Sequence, residues 1–447
     1  MVAERLGRLK AQYGGSLVTT GTRLIDLPFR YGMHLLIALR LPLDQVGAFY
    51  IVFGTITFAA GLGRLGIDRA LTREMARALA RGDTNSARRA MVRAFVLVAL
   101  ASLVVSAVIA AIAWPLATMV LHKPDMVPLF MIGALMVIPQ NLTNVAAGAL
   151  AGLHRVTLSQ TVYTWLWPAV FCATAVLMPM SDAHALGAIT FGMTVAMLIG
   201  GTILLRSVPA KDDASDAVPI PPPALFRTGL SLFSLELVQL LISAAPTFVL
   251  GIVAPTEAAG LYSIAWRVVL VIYMFVGGVA SMVSPRFARL YALDDREGLK
   301  REVARALGYA LALSLLPIAL ITIESSRILA LFGPNFVVAT STLRILIVGQ
   351  LAATISTTTP ELLGMTGYAT SLFKINILAL IALIVGLALL APPLGADGAA
   401  LAVSLTMVVN AISVTIVAKR RFGFVPLGAL YAMVRGRESH AAAPATP

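Results

Sequence analysis

The chain has 447 residues, 59% of them hydrophobic and only 12% charged, with a formal net charge of +13. A soluble domain carries about 25% charged residues, so the composition excludes one and marks a polytopic membrane protein, whose surplus of basic residues belongs to connections on one side of the bilayer and not to nucleic-acid binding. The single cysteine, Cys172, excludes an internal disulfide and a thiol-based zinc site.

Residues 1–15 are polar and basic (Arg5, Arg8, Lys10) and run into a long apolar stretch, which predicts no cleavable signal. Twelve apolar stretches follow, at 16–40, 45–66, 92–121, 126–152, 157–180, 185–206, 226–252, 258–285, 304–324, 339–363, 373–394 and 397–418. At 1.5 Å per residue each can cross a hydrocarbon core of about 30 Å. The short alternating segments of a β-barrel are absent.

In span 1, Arg23, Asp26, Arg30 and His34 step by three or four residues and so share one helix face. A shift of 213 lands on Glu236, Gln239, Ser243 and Thr247 in span 7, a second polar stripe in the same register. Charges inside a bilayer cost about 2.5–3.5 kcal/mol each and usually face a bundle interior or a wet cavity. Two matched stripes predict a cavity lined by a repeated unit. Further matches support the repeat: Asp44, Gly47 and Phe49 with Glu257, Gly260 and Tyr262; Arg93-Ala94 with Arg305-Ala306; Gly152 with Gly364; Gly187-Ala188 with Gly398-Ala399. Each half is then six helices. Because six is even, the halves share orientation and are related by a pseudo-two-fold axis along the membrane normal.

Basic residues set the predicted sidedness. The connection after span 2 carries Arg64, Arg69, Arg73, Arg77, Arg81, Arg88, Arg89 and Arg93. That after span 8 carries Arg286, Arg289, Arg296, Lys300, Arg301 and Arg305, and Lys419, Arg420, Arg421, Arg435 and Arg437 follow span 12. The opposite connections hold little beyond Arg40, Lys123 and Arg327, which places both termini in the cytoplasm. The predicted division is 1–206 for an N-terminal six-helix bundle and 207–225 for a Pro/Asp-rich cytoplasmic linker. A C-terminal bundle over 226–421 and a partly disordered tail over 422–447 complete it.

Several polar residues at membrane depth are candidates for chemistry. Arg30, His34, Arg267 and Arg344 lie toward the outer halves of spans 1, 8 and 10; Asp26, Glu236 and Glu361 lie toward the inner halves, with Arg23. Arginine supplies a permanent charge and bidentate donors for phosphate or carboxylate. Gln140, Asn141 and Asn144 cluster in span 4, and Gln350, Thr354, Thr357 and Glu361 form a stripe in span 10. Such groups hydrogen-bond a sugar, or equally join helices. Asp26, between Arg23 and Arg30, is expected to hold its charge and pair locally. Glu236, with Gln239 and Ser243 beside it, is the better proton carrier. No phosphate-binding loop, metal constellation or large catalytic loop is seen, so no cofactor is expected beyond coupling to a proton or sodium gradient.

The segments LIALRLPLDQVGAFY from Leu36 to Tyr50, GRLGIDRALTREMARALARGD from Gly63 to Asp83, RILALFGPNFVVATSTLRIL from Arg327 to Leu346 and ELLGMTG from Glu361 to Gly367 resemble the O-antigen and exopolysaccharide flippases of the superfamily that includes the MATE exporters and lipid II flippases. The chain departs from that family at Arg64, where an acidic residue is common. The resemblance implies an all-α, twelve-helix, two-bundle exporter in a bacterial inner membrane. Such a protein moves undecaprenyl-diphosphate-linked oligosaccharide between leaflets by alternating access, for exopolysaccharide or O-antigen assembly. It implies membrane lipids as surroundings, a polysaccharide polymerase and chain-length regulator as partners, a monomeric state and no enzymatic activity. The alternatives are an ion-coupled small-molecule exporter and a membrane enzyme of saccharide assembly. Cationic-drug exporters favour acidic cavities, whereas the span 1 stripe holds more arginine than carboxylate.

Overall fold

A computed structural model describes residues 25–207 and 222–441; Arg23 and residues 208–221 of the linker lie outside them, and the side chain of Glu236 is not among those described. Every described helix up to Phe422 lines up with a predicted span or with a connection, and one further helix, Pro426–Ala441, forms in the stretch read as a partly disordered tail. The first unit holds α1 (25–40), α2 (Leu43–Arg64), α3 (Ile67–Ala80), α4 (Thr84–Pro115), α5 (Val127–Gly152), α6 (Val156–Tyr163), α7 (Leu166–Leu177) and α8 (Asp182–Ser207). Helix α9 (Pro222–Val253) is divided, since the two compact units meet in sequence at Ala244 and Ala245. The second unit continues with α10 (Thr256–Ala292), α11 (Arg296–Ile323), α12 (Ser325–Ala330), α13 (Thr340–Ser356), α14 (Thr358–Met365), α15 (Ala369–Phe422) and α16 (Pro426–Ala441). Seven helical stretches among the described residues are long and apolar enough to cross a membrane. One is the 54-residue α15, which Gly395 (φ 54°) breaks into two arms that match predicted spans 11 and 12. Apolar side chains such as Leu103, Val104, Leu135, Leu316 and Leu320 point outward, as a lipid-facing surface requires.

In the first unit α5 is central and packs against α2, α3, α4, α6 and α8. In the second, α13 packs along α15, and α10 along α11 and α13. Hydroxyls tie helix to helix: Ser106 Oγ donates to Ala134 O at 2.7 Å, Ser159 Oγ to Ala147 O at 2.7 Å and Ser404 Oγ to Ile345 O at 2.8 Å. With little hydrophobic drive between helices in lipid, such bonds and close packing hold the bundle.

Both units contain one core twice. In the first, Ile67, Leu71 and Met75 of α3 pack with Met91, Ala94 and Val98 of α4 and Leu150 of α5. In the second, each position 212 further on is buried in the corresponding cluster: Val279, Val283 and Phe287, then Val303, Ala306 and Ala310, then Leu362. The caps repeat as well. Asp83 accepts a hydrogen bond from the Ser86 amide at 2.8 Å and starts α4; Asp295 accepts one from the Gly298 amide at 2.8 Å and starts α11. Each such N-cap contributes about 1 kcal/mol. Gly82 (φ 73°) and Asp294 (φ 50°), the residues before the two caps, make the same left-handed turn. The units differ in where their helices break. The first breaks between α2 and α3, at Leu65 (φ 52°) and Gly66 (φ 66°), where α10 of the second runs on unbroken.

Candidate functional site

Helix α1 lies along α6 and α7, and the polar groups of both elements meet where span 5 is interrupted. Pro168 has no amide hydrogen to give to the carbonyl four residues before it, which is that of Thr164. The helix breaks there, at Thr164 and Trp165, and resumes with Ala169 N donating to Trp165 O at 3.0 Å. The freed Thr164 carbonyl accepts a long hydrogen bond, 3.5 Å, from Arg30 Nη2. Broken helices at membrane depth are tolerated where they line a site or are buried in protein.

Arg30 is held on three sides. Its Nε donates to Asp26 Oδ2 at 2.9 Å, one helical turn earlier, and its guanidinium carbon stands 5.9 Å from the centre of the Trp167 ring. The Asp26 side chain is 10% exposed and that of Arg30 35%, so the carboxylate is buried while the guanidinium keeps a path outward. Two of its five N–H groups serve Asp26 and Thr164. The rest of the fork can meet an anionic oxygen, and the cation–π contact of about 0.5–2 kcal/mol fixes its plane. Phe29 stacks on Trp165 with ring centres 6.0 Å apart, and Cys172 Sγ donates to Phe29 O at 3.4 Å. Arg40 Nη1 donates to Ala175 O at 3.3 Å further along the same pair of helices. Behind Trp167 lies Gly192 of α8, where a Cβ would come within 2.7 Å of the Trp167 carbonyl. Only glycine allows α8 this close to the backbone of Trp167.

The other stripe residues take different places. His34 is 4% exposed, and its Nδ1 lies 2.9 Å from the Tyr50 hydroxyl, so it joins α1 to α2. Asn144 Nδ2 donates to the Gln140 carbonyl of its own helix at 3.0 Å. The Gln140 Oε1 is buried with no hydrogen-bond partner among the described residues. Neither residue bonds Arg30 among those residues. Asn141 is fully buried and donates to Ala60 O and Ser102 Oγ, both at 2.9 Å, joining α5 to α2 and α4. Arg64 pairs with Asp68 at 3.4 Å across the α2–α3 break.

In the second unit, Glu361 of α14 accepts a hydrogen bond from Ser284 of α10 at 2.8 Å. Its helix starts after a break at Thr357, next to the buried Thr358 and Thr359. Thr354 bonds the Gln350 carbonyl of its own helix at 2.9 Å. Arg267 is half-buried in α10, five residues after the buried Tyr262. Arg344 of α13 and Gln239 of α9 are exposed. Sequence reasoning missed Asp397, whose carboxylate accepts from the hydroxyls of Ser341 and Thr342 and ties the second arm of α15 to the start of α13. An Asp just past two prolines and Gly395 is a readable helix-start signal.

The family described as polysaccharide biosynthesis protein matches residues 14–291, and the MatE family matches residues 233–389. A probable flippase, AglR of Haloferax volcanii, is 27% identical over 169 residues; the match spans 37% of this chain and 36% of the relative. Among solved structures, an inward-facing multidrug resistance MATE family transporter of the MOP superfamily aligns with a TM-score of 0.71 at 16% identity, over 89% of this chain and 94% of that one. The lipid II flippase MurJ in an inward closed conformation aligns with a TM-score of 0.68 at 12% identity, over 93% and 90%. A MOP superfamily transporter from Pyrococcus furiosus gives 0.59 at 18% identity, over 92% and 93%. At these identities the likeness carries the fold.

Proposed function

The chain belongs to the polysaccharide biosynthesis protein family, and from that premise we propose that it flips an oligosaccharide linked to a polyprenyl diphosphate across a bacterial inner membrane. The observation that carries this reading is Arg30: a permanent cation at membrane depth, clamped by Asp26 and Trp167 beside a broken helix, with donors left for an anionic headgroup. A diphosphate entering a bilayer loses part of its hydration, and a preoriented guanidinium replaces some of it. Arg267 supplies a second intramembrane cation in the other unit, and Asp26, Glu236 and Glu361 are the carboxylates available for coupling to a proton or sodium gradient. The probable flippase relative supports the flipping activity over the part it covers. Both termini and the arginine-rich connections face the cytoplasm in this reading. The exported units feed a polymerase and its chain-length regulator.

The match to the MatE family over residues 233–389 favours a second reading, an ion-coupled exporter of small molecules. The two separate in vesicles. Purified protein is reconstituted with a short-chain polyprenyl-diphosphate oligosaccharide, and the fraction reaching an external lectin is followed with and without a proton gradient. The flippase reading expects transfer in the wild type, its loss in Arg30→Glu, partial recovery in Arg30→Lys and loss of gradient dependence in Glu236→Gln. Wild-type vesicles that move a fluorescent organic cation and no lipid-linked saccharide overturn it in favour of the exporter.

A further inference from the structure

The last helix, α16, is a helix that the sequence reading did not place, and its two apolar faces have different neighbours. One packs inward: Pro426 and Ala429 are buried, and Leu430 lies over Gly308 of α11. The other faces out. Leu427, Tyr431 and Val434, at helical spacing of four and three, are 47%, 65% and 49% exposed. Apolar groups on both sides of a helix ask for a second cover.

The surroundings of α16 say what that cover is. The helix begins four residues after α15 ends at Phe422, following Lys419, Arg420 and Arg421. Gly308 comes three residues after Arg305, the last charge in α11, so the contact sits where that span enters the hydrocarbon layer. Aromatic side chains gather at the same level: Phe422 meets Tyr291 and Tyr368 edge-on with ring centres 6.3 and 5.7 Å apart, and Arg421 stands 5.0 Å over Tyr368. Such rings and cations mark a membrane–water interface. With 16 residues, α16 is too short to cross the bilayer. Lys419 and Arg420, at the end of α15, and Arg435 of α16 are exposed.

We propose that α16 is an interfacial helix that lies in the headgroup layer, with Leu427, Tyr431 and Val434 inserted among acyl chains and Lys419, Arg420 and Arg435 bound to anionic phospholipid headgroups. Non-polar insertion and attraction to anionic lipid act together in such helices, and neither alone gives firm attachment. The proposal is independent of the transported substrate.

The test uses the full chain in lipid nanodiscs, one copy per disc, with an environment-sensitive fluorophore on Leu427→Cys or Val434→Cys in a Cys172→Ala background. The discs are phosphatidylcholine alone or with one third phosphatidylglycerol. In the anionic discs both labels should resist aqueous iodide at least fivefold better than a label on Arg88→Cys, and should be quenched by a lipid carrying a shallow spin label. Adding Lys419→Gln, Arg420→Gln and Arg435→Gln, or omitting phosphatidylglycerol, should cut the protection at least twofold with the unfolding temperature unchanged. Equal iodide access in both disc types overturns the proposal. So does shielding without spin-label quenching, which assigns the face to protein, and so does shielding that needs two copies per disc, which assigns it to a second copy.

Discussion

Removing Arg30 should loosen α1 from α7 in a way that the protein's own thiol can report. Asp26 is buried, its Oδ2 accepts from Arg30 at 2.9 Å, and its Oδ1 has no hydrogen-bond partner among the described residues. Arg30→Ala strands that carboxylate. Breaking a fully buried pair costs about 3–5 kcal/mol. A third of the Arg30 side chain reaches the outside, which lowers the expected cost to about 2–3 kcal/mol. Asp26→Ala leaves the more exposed partner and should cost about 1 kcal/mol, and the double variant should recover about 1–2 kcal/mol of the sum. Cys172 is the one cysteine in the chain and its Sγ bonds the Phe29 carbonyl, at the junction in question. Its rate of labelling under native conditions measures local opening, at a factor of ten per 1.4 kcal/mol. Labelling should therefore rise about 30- to 140-fold in Arg30→Ala, about fivefold in Asp26→Ala, and clearly less than the product of the two in the double variant. A rise under threefold in Arg30→Ala, or strict multiplication in the double variant, would refute a coupled ion pair at this junction.

Other expectations follow from single contacts. Asn141→Leu removes bonds to Ala60 and Ser102 and should cost about 1–3 kcal/mol, at roughly 0.6–1.7 kcal/mol per interhelical bond, seen as a lower unfolding temperature in nanodiscs. An unchanged temperature would show the network to be inert. At Gly349 a Cβ would stand 2.6 Å from the Ser404 Cα, so Gly349→Ala should destabilise by about 1–3 kcal/mol. Gly364→Ala, with nothing within 4 Å of its Cβ, should be neutral or slightly stabilising. Equal stability of the two variants would contradict the close approach of α13 and α15. For sidedness, cysteines replacing Arg88 and His184 in a Cys172→Ala background should respond oppositely to an impermeant reagent on intact cells, with Arg88→Cys shielded and His184→Cys labelled. The reverse pattern inverts the assigned orientation.

The spans were legible because hydropathy reads length and apolarity directly, though α4, α10 and α11 run seven or eight residues past their predicted ranges on the arginine-rich side. The Asp26–Arg30 pair was legible because it depends only on helical spacing. What the sequence reading missed depends on contacts between elements, or on signals that hydropathy smooths away. Pro168 marks the break at Thr164, yet span 5 reads as one apolar run because both sides of the break are equally apolar. The His34–Tyr50 pair needs α1 folded back on α2, and nothing in the spacing of a single helix announces it. Helix α16 was hidden for the opposite reason. Its charges lower the average below any span threshold, and its two apolar faces emerge only when its residues are placed around an axis.

The repeated core separates what packing requires from what it leaves free. Seven core positions of one unit recur 212 residues later as buried apolar side chains, together with the capping aspartate and the left-handed residue before it. The sequences there differ in shape, Met75 against Phe287 or Ile67 against Val279, but never in polarity. The intramembrane charges do not recur in this way. At shifts of 212 and 213, Asp26 falls on Val238 and Gln239, and Arg30 on Ile242 and Ser243. The broken helix beside the pair does not recur either: the position 212 residues after Thr164 is Asn376, inside the unbroken first arm of α15. Asp26 and Arg30 occupy the first unit alone, beside a broken helix, while the second unit keeps the architecture without them. In the proposed reading, an anionic ligand on Arg30 helps offset the cost of placing this pair at membrane depth.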